Sequence, residues 1–77
     1  IKATLLPAGK TFFDMGLMYA AGRECEYDLV AAHCWFNIAA ARGDREAGIR
    51  RAELAQLMSS DEISTAQRAA REWLKLH

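Results

Sequence analysis

The chain has 77 residues, 52% of them apolar, with ten basic and ten acidic side chains and a formal net charge of zero. A chain this short forms one domain at most and buries only about 60% of its unfolded surface, which leaves no room for a second domain or a deep catalytic cleft. The balanced charge excludes the one-sided basic footprint of a nucleic-acid binder, and no apolar stretch approaches the roughly 20 residues needed to cross a bilayer.

Ile1 to Gly9 has no clear period and reads as a loose lead-in. It lacks the basic-then-apolar order of a signal peptide. The chain begins on Ile1 and not on Met, so a trimmed piece with its targeting signal upstream stays open. Phe12, Met15, Gly16 and Tyr19 recur at helical spacing and predict a first helix over about Lys10 to Ala21. Gly22 stops it, because glycine readily takes the left-handed conformation past a helix end. Asp28 suits the N-cap of a second helix, about Leu29 to Arg42, since its carboxylate accepts from the free amides of the first turn. Ala32, Trp35, Phe36 and Ala39 form the buried stripe, and Gly43 ends the helix. Asp44 caps a third, about Arg45 to Met58, where Ala47, Leu54, Ala55 and Met58 share a face. Arg51 interrupts that face with a buried stem and an exposed head. Ser59, with Glu62 three residues on, is a capping box. It opens a fourth helix over about Ser60 to Leu76, with Ile63, Ala66, Ala70 and Trp73 inward. Asp61 and Glu62 at its start and Lys75 near its end follow the helix dipole.

Short links favour antiparallel neighbours. The expected fold is therefore all-α, two antiparallel helix pairs stacked on one another. The pairs repeat weakly: setting Thr11 opposite Ala47 also sets Gly16 opposite Ala52 and Tyr19 opposite Ala55, as for a degenerate end unit.

The motif is more specific than the internal repeat. Met15-Gly16-Leu17-Met18-Tyr19-Ala20-Ala21-Gly22, then Asp28, then Ala32-His33-Cys34-Trp35-Phe36-Asn37-Ile38-Ala39-Ala40, then Gly43-Asp44 and Ala47, resembles a Sel-one-like repeat. That family belongs to the tetratricopeptide-like (TPR-like) α-solenoids. Its pattern is Leu-Gly-x-x-Tyr-x-x-Gly, an Asp, then Ala-x-x-Trp-Tyr/Phe-x-x-Ala-Ala with Gly and Ala beyond. Met15 stands for the usual Leu and Cys25 for a usual Val. Glu24 occupies the place of the loop's second glycine, a departure that puts the turn in question. Thr11 to Ala47 carries the match, and Met58 to Trp73 is similar to the family's terminal capping helix. The resemblance implies one full repeat plus a cap, a fragment of a TPR-like α–α superhelix. The residues also have a physical rationale of their own. Gly16 lets the paired helix approach, Trp35 and Tyr19 fill the space between helices, and Ala39 and Ala40 permit close stacking.

Catalytic and metal chemistry find little support in these residues. Cys25, His33 and Cys34 are three soft ligands where a structural zinc site wants four. His33 and Cys34 are adjacent, so on a helix they do not face each other as a nucleophile and base must. Cys25 reads as a small buried apolar residue. Cys34 is expected near the surface because its neighbour Trp35 faces inward. Two cysteines can form one disulfide at most, are not a Cys-x-x-Cys pair, and fit a reducing cytoplasm. The carboxylate pairs Glu24/Glu26 and Asp61/Glu62 have no evident pocket for acid–base work. Arg50 and Arg51 lie among Glu46 and Glu53 and read as a solvated face. No cofactor or metal is expected, and the chain is read as non-enzymatic.

In the resembled family the first helix of each repeat lines a concave surface. Carried over, Lys10, Phe13, Leu17, Ala20 and Ala21 would face that groove, continued by Ile49, Glu53, Gln56 and Leu57. A helical or extended peptide docks on such a surface. The lead-in, with Ile1, Leu5 and Leu6, or a second copy of the chain in a homodimer, is an alternative cover for the same residues. The expected function is thus a scaffold or interaction module for a protein or peptide partner, with no nucleic acid and no membrane. The alternatives are a structural end cap of a longer repeat protein, and a small homodimeric adaptor.

Overall fold

A computed structural model describes residues 10–77. The expected lead-in, Ile1 to Gly9, lies outside them. Four helices run in chain order: α1 Phe12–Ala21, α2 Leu29–Ala41, α3 Arg45–Ala55 and α4 Ser60–Leu76. The described residues contain no strand.

The caps explain the boundaries. Thr11 and Asp14 form a capping box: the Asp14 amide donates to Thr11 Oγ1 and the Thr11 amide to Asp14 Oδ2, both at 3.0 Å. α1 therefore starts at Phe12, two residues after the expected start at about Lys10. The bonds from Thr11 also hold the Asp14 carboxyl below its ordinary value. Asp28 and Asp44 cap as expected, accepting from the amides of Ala31 at 3.0 Å and Ala47 at 3.1 Å. Ser59 and Glu62 close the second capping box, at 2.8 and 3.1 Å. α3 ends three residues early. The amides of Gln56, Leu57 and Met58 bond three residues back, to the carbonyls of Glu53, Leu54 and Ala55. That tightening turns the chain out of the α-helix.

α2 is the centre of the molecule. α1, α3 and α4 each pack against it, whereas α3 and α4 touch each other far less than either touches α2. The second pair is thus two helices docked side by side on α2 more than a hairpin closed on itself. A helix covered on several sides buries most of its circumference. Ala31 to Phe36, Ile38 and Ala39 are all buried. Cys34 is among them at 0% exposure, not near the surface as expected. The stripe argument assumed one covered face, and α2 has three neighbours. Cys25, expected buried, is half-buried in the α1–α2 loop.

Two clusters make the core. Cys34, Trp35 and Ile38 of α2 join Met15 of α1 and Ala66 and Ala70 of α4. Phe12, Trp35 and Trp73 pack around them, Phe12 stacked on Trp35 and Trp73 edge-on to both, with ring centroids 5.1 to 6.0 Å apart. The other cluster joins Ala32, Phe36 and Ala39 of α2 to Ala47 and Leu54 of α3. The close approach expected at Gly16 is present. The Phe36 ring lies directly on this glycine, and a Cβ built there would sit 2.5 Å from Phe36 Cδ1.

The loop after α1 keeps its left-handed turns. Gly22 has φ +67°, and Glu24 has φ +64°. Glu24 therefore adopts a backbone that glycine takes without strain, at the position where the resembled pattern carries glycine.

Candidate functional site

α1 and α3 flank α2 without packing closely on each other, which leaves a shallow groove of about 160 Å³ between them. Leu17 and Ala20 form the α1 wall, and Arg50, Glu53 and Leu54 form the α3 wall, extended by Leu57. Phe36 shows an edge at the floor although it is only 2% exposed. Its ring is drawn toward α1 by the gap at Gly16 and steadied by Phe13, whose ring centroid is 5.6 Å away. Leu57 stands 72% exposed on the rim. Arg50 Nε donates to Glu46 Oε2 at 3.2 Å across one helical turn, an exposed pair that contributes little to stability.

The groove brings together four of the nine expected residues: Leu17, Ala20, Glu53 and Leu57. Phe13 supports the floor from beneath. Ala21, Ile49 and Gln56 are exposed but do not line the groove. Lys10 lies elsewhere, in a polar recess with Met18, Arg23 and Glu24, its Nζ 3.9 Å from Glu24 Oε1. It precedes the N-cap, so helical periodicity does not place it on the face of Leu17. Phe36, Leu54 and Arg50 are additional lining residues. The first two read in the sequence as pure core and the third as solvated helix. A larger recess of about 570 Å³ runs along the end of α4, lined by Arg68, Arg71, Glu72, Leu74 and Lys75. Among the described residues its walls come from one helix alone.

A part-buried polar cluster lies between α2 and α3. Arg51 Nη1 donates to Asn37 Oδ1 at 2.7 Å, so the arginine head is held by a side chain. One turn away, His33 is 2% exposed and its Nδ1 has no hydrogen-bond partner. Burial, and secondarily Arg51, lowers its pKa from 6.5. Burial also pushes the Cys34 thiol up to about 11. It is thus protonated at neutral pH, when thiolate is the nucleophilic form. Among the described residues no three His, Cys, Asp or Glu side chains converge as a metal site, and no helix is long and apolar enough to cross a membrane.

No protein-family model, curated protein or solved structure matches the chain.

Proposed function

We propose that the chain is a non-enzymatic interaction module of the Sel-one-like, TPR-like type, which holds a short segment of a partner protein in the groove between α1 and α3. The observation that carries this reading is the convergence of Leu17, Ala20, Glu53 and Leu57 over the Phe36 ring. The groove dictates the partner's chemistry. An apolar anchor covers the Phe36 edge and the exposed Leu57, and a polar flank meets Arg50 and Glu53, one of each sign. Helix-in-groove recognition works in this way, with a few anchors at helical spacing.

Selection from a displayed peptide library against the chain tests this. The selected peptides lose at least about tenfold in affinity, roughly 1.4 kcal/mol, when Leu17 and Leu57 are both changed to Ala. They are indifferent to Arg71→Ala on α4. The reverse pattern discards the groove.

One observation favours a second reading, the structural end cap. The outward face of α4 is polar along most of its length, with Ser60, Asp61, Glu62, Ser64, Thr65, Gln67, Arg68, Arg71 and Glu72 exposed. Terminal units of solenoids carry such faces. An additional repeat fused ahead of α1 then raises the melting temperature, and unchanged melting removes this reading.

A further inference from the structure

α3 forms one wall of the groove and packs on α2 beside Ala32, Phe36 and Ala39. It buries only Ala47 and Leu54. A side-chain bond from Arg51 to Asn37 adds to that packing, one turn from the buried, unpartnered Nδ1 of His33. Arg51 is the charged group whose field reaches this ring, and α1 and α4 bring none to bear on it. We propose that the His33–Asn37–Arg51 cluster makes the docking of α3 on α2 sensitive to acid, so that protonation of His33 releases α3 and dismantles the groove. The loss of binding rests on the function proposed above, whereas the release of α3 does not.

The physical sequence is short. Neutral His33 is tolerated in this site with one ring nitrogen unpaired. Imidazolium carries two N–H donors and a full charge. It would place an unpaired donor in a dry site, at a desolvation cost, and set a second cation against Arg51. The folded chain therefore takes the proton at lower pH than the unfolded chain, in which histidine titrates near its ordinary 6.5. Stability from the neutral ring is fully present above that value and is lost as pH falls toward the folded-state pKa. The other histidine, His77, stacks on Trp73 at the end of α4, with ring centroids 4.3 Å apart, so a readout confined to α3 separates the two.

Hydrogen exchange on the full chain at about pH 7.5 and about pH 5 spans the histidine range and gives protection factors corrected for intrinsic rates. The expected result is a severalfold loss of α3 protection at the lower pH, well beyond any loss in the first turns of α2, and abolished by His33→Leu. Parallel loss in both helices, or undiminished pH dependence in His33→Leu, overturns the proposal. Should that variant not fold, imidazole titration followed by NMR in the unaltered chain decides. α3 amide shifts must track His33, and tracking His77 instead overturns it equally. A selected peptide that fails to bind at either pH counts against the groove alone.

Discussion

The two sides of α2 are held by different physics. Toward α1 and α4, α2 presents Trp35 and Ile38 into a cluster of large rings, and Phe36 fills the gap left by Gly16. Toward α3 it presents Ala32 and Ala39, with Phe36 shared between the two sides, against Ala47 and Leu54, and a polar bond from Arg51 to Asn37. Aromatic pairs bury large areas and add about 0.5–1.5 kcal/mol each beyond that burial. Alanine contacts contribute little, and the polar bond mainly avoids a desolvation cost. The ring side therefore carries the stability of the molecule. The α3 side carries the groove and the acid-sensitive contact, in keeping with the general placement of binding elements at the low-stability end of a fold.

The sharpest way to break this comparison is Trp35→Ala. Trp35 is 2% exposed and touches both Phe12 and Trp73. The change should cost about 3–5 kcal/mol, comparable to the whole stability of a small domain, and abolish cooperative melting. A variant with near-native melting would show that the ring cluster is not the anchor. Gly16→Leu comes next. It forces Phe36 from its seat and should cost about 1–3 kcal/mol or more, read as a lowered melting temperature that Phe36→Leu in the same chain partly restores. Unchanged melting would mean that α1 and α2 do not meet at this glycine. Glu24→Gly should have the smallest effect on stability. It relieves a left-handed non-glycine backbone worth roughly 1–2 kcal/mol, but the more flexible unfolded chain returns roughly half of that. A net gain below about 1 kcal/mol is expected. A clear loss would show that the Lys10–Glu24 pair, or another contact, outweighs the turn. Thiol labelling at neutral pH perturbs the fold least. Cys25 should react first and Cys34 only on unfolding, given its burial and its raised pKa of about 11. Equal rates would place α4 off the α2 surface.

Much of the architecture was legible because caps are local chemistry. Asp28, Asp44 and the Ser59/Glu62 box each fix a helix start through side chains three residues from the amides they satisfy. The Thr11/Asp14 box has the same logic, but the expected start at about Lys10 passes over it. The end of α3 carried no such mark, since Leu57 and Met58 continue an apolar period while the backbone tightens out of it. Burial on α2 was underestimated for a tertiary reason. A stripe of Ala32, Trp35, Phe36 and Ala39 is visible in one helix, whereas the number of neighbours covering it is not, and this decides Cys34. The groove was half legible for the same reason. Leu17, Ala20, Glu53 and Leu57 were implied by the resemblance to the Sel-one-like repeat, but Phe36 belongs to core and surface at once, and only the placement of α1 beside α3 reveals its edge.

The proposed recognition groove lies between α1 and α3 and is floored by Phe36. Titration of the isotopically labelled chain with a library-selected peptide tests it directly, with amide and methyl shifts as the readout. The predicted result is a perturbation concentrated on Leu17, Ala20, Phe36, Glu53, Leu54 and Leu57, and absent from the end of α4. Shifts centred instead on Arg68, Arg71 and Lys75 would contradict it.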